Sequence, residues 1–97
     1  MIYVSDFRLK VFKLVAEHKN YSTAARKLNI SQPAAYKHIK ELEARYEVIL
    51  IERLGPRIKL APAGELLLEQ CHKILAQYEK LDLLMHSFSP PTEVNGK

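Results

Sequence analysis

Apolar residues recur with a helical period through the first half of this chain. Leu9, Phe12, Val15 and Ala16 fall at i, i+3, i+6 and i+7, which predicts a first helix, and the polar run Glu17 to Asn20 breaks it. Ser22 reads as an N-cap, with Tyr21 just before it packing inward like a staple residue. Ala24, Ala25 and Leu28 share one face of a second helix, and the two alanines let a neighbouring helix approach closely. Asn29 tolerates the left-handed conformation that ends a helix, Ile30 plugs the turn, Ser31 is the next cap, and Pro33 sits in a first turn. In the third helix Ala35, Ile39, Leu42 and Tyr46 form the expected buried stripe. Gln32, Pro33, Tyr36, Lys37 and Lys40 lie on the opposite face. Two short helices joined by a tight turn, the second with a polar outer face, are the layout of a helix-turn-helix, whose second helix lies in the DNA major groove.

The period then changes. Val48 to Ile51 is an apolar, largely β-branched run, Arg57 to Leu60 alternates charged and apolar residues, and Leu54-Gly55-Pro56 supplies a turn between them. A two-stranded wing is expected. Two readings of its cations stand: Arg53, Arg57 and Lys59 reach phosphates or the minor groove, or they keep a hairpin edge soluble. The first is the expectation, most of all for Arg53.

From Pro62 the pattern is helical again. Leu67, Cys71, Ile74, Tyr78, Leu81, Met85 and Phe88 alternate spacings of four and three, which are the a and d positions of a heptad repeat. Such a helix is too long for a small domain to cover, so these seven residues are expected to form a dimer seam. Leu68 and Leu75 widen the apolar face where the helix packs on its own domain. Pro90-Pro91 should end the helix, and residues 92–97 should be disordered. The expected organisation is a winged helix-turn-helix over residues 1–61, a linker and dimerisation helix over 62–89, and a flexible tail over 90–97.

Charge sharpens this picture. The 97 residues carry a net charge of +4, unevenly spread. Residues 1–60 hold 12 Lys and Arg against 6 Asp and Glu, while residues 61–97 hold 3 against 5. A basic first part suits a polyanion, since phosphate neutralisation supplies most non-specific affinity for DNA. No signal-like or membrane-spanning run is visible, and the single Cys71 permits no internal disulfide, so the chain is read as cytoplasmic and not membrane-bound. Catalytic and metal readings are poor: three glycines make no phosphate loop, and His18, His38, His72 and His86 lack ligand spacing. No enzyme activity, metal or cofactor is expected. Lys10 and Lys13 read as solvent-facing charges.

Taken together, Ala24-Ala25-x-x-Leu28, Ser31-Gln32-Pro33-Ala34, Ile39-x-x-Leu42-Glu43, Leu50-x-Glu52-Arg53 and Leu60-x-Pro62-Ala63-Gly64-Glu65 carry a resemblance. Residues from Leu9 to about Leu84 resemble the N-terminal domain of LysR-type transcriptional regulators. The resemblance implies a mainly α, winged helix-turn-helix fold followed by a long linker helix that pairs two subunits. It implies base or backbone contacts in the major groove from Gln32, Pro33, Tyr36 and Lys37, and a wing contact from Arg53. Phosphate contacts are expected from Ser22, Thr23, Ser31 and Lys40. The family commonly has serine and arginine where this chain has Tyr36 and Lys37, a glycine where it has Glu47, an aromatic where it has Ile51, and a threonine cap where it has Ala61. Full members continue into an effector-binding domain, whereas this sequence stops at Lys97, so no small-molecule effector site is expected in it.

The expected function is sequence-specific binding of double-stranded DNA by a homodimeric transcriptional regulator, with higher oligomers allowed. The alternative is an interaction module that hetero-dimerises with a longer relative and modulates its DNA binding.

Overall fold

In a computed structural model that describes residues 5–88, three short helices close around one core, a hairpin leans against them, and a long helix leaves the domain. The order is α1 (Asp6–His18), α2 (Tyr21–Leu28), α3 (Gln32–Tyr46), β1 (Ile51–Leu54), β2 (Arg57–Leu60) and α4 (Pro62–His86). Residues 1–4 and 89–97, and with them the Pro90-Pro91 stop and the flexible tail, lie outside the described residues. No helix among the described residues is long and apolar enough to cross a membrane.

The helix boundaries follow from local chemistry. The Ser5 hydroxyl caps α1 by accepting from the Arg8 N–H at 3.2 Å. Lys19 then takes a left-handed φ of 53° and turns the chain straight into Asn20. Asn20 caps α2 through its side-chain oxygen, which accepts from the Thr23 N–H at 2.9 Å. The cap is therefore Asn20 and not Ser22. Asparagine caps as well as serine does, and starting the helix two residues earlier puts Tyr21 in its first turn, where it is buried. Asn29 does adopt the left-handed conformation, and the Ile30 N–H bonds to the Ala25 carbonyl at 3.0 Å, placing Ile30 against the core. The Ser31 hydroxyl caps α3 by accepting from the Ala34 N–H, with Pro33 in the first turn.

Val11, Phe12, Val15, Ala24, Ala35, Ile39 and Leu42 are almost wholly excluded from solvent and form the trihelical core. Tyr46 departs from the expected stripe and is 49% exposed. It lies on the last residue of α3, where Glu47 turns left-handed, and its ring meets the Arg45 guanidinium at 5.8 Å instead of the core.

Strand β1 also differs from expectation. Of the apolar run 48–51, only Ile51 pairs with β2; Val48 and Ile49 form an exposed connection, and Leu50 drops into the core. Ile51 pairs with Leu60, Glu52 with Lys59, Arg53 with Ile58 and Leu54 with Arg57. Gly55 takes φ 64° at the first position of the two-residue turn, a conformation that favours glycine.

Helix α4 packs its first half against α1 and β2. Ala61 provides no side-chain cap, as expected from the missing threonine. Gly64 lies against the Leu50 carbonyl so closely that a Cβ would collide with it. Cys71 is fully buried, and its thiol points at the Leu9 carbonyl at 3.8 Å. Leu67 is partly buried against the same core. These two members of the expected seam therefore belong to the chain's own interior, because the first turns of α4 are what close the domain over α1. The seam positions from Ile74 outward are open, with Ile74, Tyr78, Leu81 and Met85 39–59% exposed, while Leu75 is half-buried on the side facing α1 and α2. The helix ends at His86, so Phe88, 83% exposed, lies just beyond it.

Candidate nucleic-acid interface

One face of the domain gathers side chains from α2, α3 and the wing. Gln32 and Pro33 occupy the first turn of α3, one turn before Tyr36, and all three are exposed. Together with Tyr21 and Arg53 they line a shallow depression of about 390 Å³. The hairpin register explains how Arg53 reaches it. Residues paired directly across a two-stranded sheet share a face, so Arg53 lies with Ile51, Ile58 and Leu60, the side turned toward the helices. Arg57 and Lys59 lie with Leu54 and Glu52 on the opposite side. The structure thus places Arg53, which the sequence already favoured as the wing contact, on a different face from Arg57 and Lys59.

Helix α3, the expected recognition helix, and the wing are joined by Glu43. Its Oε2 accepts hydrogen bonds from the Leu50 N–H at 2.9 Å and the Ile51 N–H at 3.2 Å. Its Oε1 accepts from the Lys40 ammonium at 3.1 Å. One carboxylate therefore fixes where β1 begins relative to α3. The hydrogen bond to Glu43 raises the Lys40 pKa above its ordinary value. The Lys40 ammonium also lies 5.2 Å from the centre of the Tyr36 ring, which in turn meets the Tyr21 ring at 5.5 Å and 59°. Burial, reinforced by the nearby Glu43 carboxylate, pushes the Tyr21 phenol upward, so it is neutral and available as a donor at physiological pH.

The remaining expected contacts are placed as follows. Lys37 is exposed on α3 and makes no ion pair among the described residues. Ser22 is exposed and Thr23 half-buried in the first turn of α2, and Ser31 heads α3. Because Ser31 uses its oxygen as a cap acceptor, its hydroxyl proton is still free to donate. Both helix starts present N–H groups suited to anions. Arg8 on α1 pairs with Glu41 on α3 at 3.0 Å, which braces the outer side of the recognition helix. His38 packs its ring edge-on against Phe7 at 5.5 Å, facing α1 and not the exposed face.

Sequence reasoning missed Tyr21, Asn20 and Glu43 as parts of this site. Asn20 was legible as a good capping residue adjacent to a polar break. Glu43 was visible only as part of a motif, because its role depends on two backbone N–H groups seven and eight residues later.

Comparison with known proteins agrees with this architecture. A probable RuBisCO transcriptional regulator of Thalassiosira pseudonana is 40% identical over 73 residues, covering 75% of this chain and 24% of that protein. The HTH-type transcriptional regulator CysL of Bacillus subtilis (strain 168) is 38% identical over 72 residues, covering 74% of this chain and 24% of CysL. This chain therefore spans about a quarter of the length of these curated relatives. Among solved structures, the BenM_DBD/catB site 1 DNA complex superposes with a TM-score of 0.85 at 25% identity, covering 92% of this chain and 100% of that one. The CbnR_DBD-DNA complex superposes with a TM-score of 0.81 at 33% identity, covering 87% and 97% respectively. Residues 7–65 match the sequence model of the bacterial regulatory helix-turn-helix proteins of the lysR family, and the chain belongs to that family.

Proposed function

We propose that this chain binds double-stranded DNA sequence-specifically, as the DNA-reading part of a dimeric transcriptional regulator in the cytoplasm. It acts by binding alone, with no chemical step. The observation that carries the reading is the shared exposed face of Gln32, Pro33, Tyr36 and Arg53, which sets the start of α3 beside a wing arginine. In this reading Gln32, Pro33, Tyr36 and Lys37 enter the major groove, and Arg53 reaches the neighbouring minor groove. Ser22, Thr23 and Ser31 hold phosphates at the two helix starts. Lys40 is tied to Glu43 and contributes field more than a direct contact. Arg57 and Lys59, on the far side of the hairpin, add to the general attraction for the polyanion.

Dimerisation is assigned to the free part of α4. Ile74, Tyr78, Leu81 and Met85 form an exposed apolar row along the second half of α4, which a second copy of α4 would cover. Two subunits would then present two recognition helices to paired half-sites.

Footprinting with Lys37→Ala and Arg53→Ala tests the site. Each substitution is expected to weaken binding, and Arg53→Ala to lower the salt slope by about one. Unchanged affinity in both would remove the assignment. The same apolar row also favours the alternative, pairing with a longer relative. Purified homodimer that fails to shift DNA at physiological salt, yet associates readily with such a relative, would select that alternative.

A further inference from the structure

The depression beside Arg53 has an apolar floor inside a basic surround, and that combination has a specific use. Tyr21 is only 7% exposed, and its ring supports the Tyr36 ring at 5.5 Å. The Lys40 ammonium, itself held by Glu43, also lies 5.2 Å from the centre of the Tyr36 ring. An aromatic ring on an exposed helix face is ordinarily free to change rotamer. Here neighbours on two helices restrain it, so little ordering entropy remains to be lost on binding. Pro33 completes the apolar wall, while Gln32 and Arg53 stand at the rim.

Among the groups that base pairs present in the major groove, the one apolar feature is the C5-methyl of thymine. Arg53 on the rim and Lys37, beside Tyr36 on α3, provide the positive charge that draws a duplex onto this face. We propose that Tyr36 is the specificity-determining residue of the recognition helix, that Tyr21 and Lys40 are its positioning residues, and that the Tyr36–Pro33 wall selects thymine at one operator position by its methyl group. This rests on the DNA-binding reading above.

The full chain is tested on a duplex obtained by selection from a random pool. Each thymine in turn is replaced by uracil, and affinity is measured at constant ionic strength. One position is expected to lose about fourfold, the value of one buried methyl group. Cytosine placed there should bind better by a similar factor when methylated at C5. Tyr36→Ala should abolish the thymine–uracil difference at that position, so that the thymine and uracil duplexes bind the variant equally. Tyr21→Phe, which keeps the supporting ring, should retain the discrimination, and Tyr21→Leu should reduce it while still folding by circular dichroism. Saturable binding in which no thymine discriminates from uracil, or in which discrimination survives Tyr36→Ala, overturns the proposal and leaves the DNA-binding reading intact. Failure to bind any duplex overturns both.

Discussion

Removing the Glu43 carboxylate should damage both stability and DNA reading, through the wing. The side chain is 12% exposed, and the two N–H groups it accepts belong to Leu50 and Ile51, residues that are 2% and 8% exposed. In Glu43→Ala neither donor has an evident replacement. Hydrogen bonds to a charged group are worth about 1.5–3 kcal/mol each. The half-exposed Lys40 ion pair adds at most about 1 kcal/mol. Allowing for non-additivity, the expected loss is about 3 kcal/mol, and at roughly 4–8 °C per kcal/mol for a chain of this size the melting temperature should fall by about 12–24 °C. Urea titration followed by circular dichroism checks the free energy, and calorimetry the midpoint. Glu43→Gln, which keeps one acceptor oxygen, should fall between the two. The same carboxylate positions Arg53, so at a temperature where the variant is folded its loss of DNA affinity should overlap that of Arg53→Ala, and the double substitution should cost less than the sum. A stability loss under about 1 kcal/mol, or strict additivity with Arg53→Ala, would refute the clamp.

Three further substitutions or measurements follow from the packing. Gly64→Ala forces a Cβ onto the Leu50 carbonyl and should destabilise the chain by about 1–3 kcal/mol or more, read by the same urea titration. Glu47→Gly should stabilise it by about 1 kcal/mol, because Glu47 holds a left-handed φ of 54° at the end of α3 where glycine carries no steric penalty. Burial pushes the Cys71 thiol from 9.0 to about 11, so at pH 8 it should react with a thiol reagent only as fast as the chain opens. The unfolded thiol ionises first as pH rises, so the stability from the buried neutral thiol is intact below pH 9 and declines toward pH 11. Cys71→Ala should lose that part of the alkaline decline, measured as the difference in melting temperature between the two proteins.

The helical stripes of α1 and α3, the left-handed Asn29 and the Ser31 cap were legible because each depends on residues within one or two turns. The misplaced cap at Ser22 shows the limit of such reasoning, since two good capping residues lay two apart. Only the left-handed turn at Lys19 selects Asn20. The start of β1 was misread for a related cause. An apolar run marks a strand, but the pairing partner decides where it begins, and β2 reaches back only to Ile51.

By itself the order of residues determined the element types, the winged helix-turn-helix and the identity of the exposed face of α3, because periodicity is a local property. Tertiary structure decided three things that periodicity cannot hold. Docking on α1 divided a continuous heptad row, burying Cys71 in the domain and leaving the positions from Ile74 outward free. Hairpin register turned Arg53 toward the recognition helix and Arg57 and Lys59 away. The Glu43 carboxylate and the Tyr21 ring, whose partners lie elsewhere along the chain, held the start of β1 and the Tyr36 ring in place. Each of these depends on groups brought together only when the chain closes on itself, which is why no spacing rule along the chain announces them.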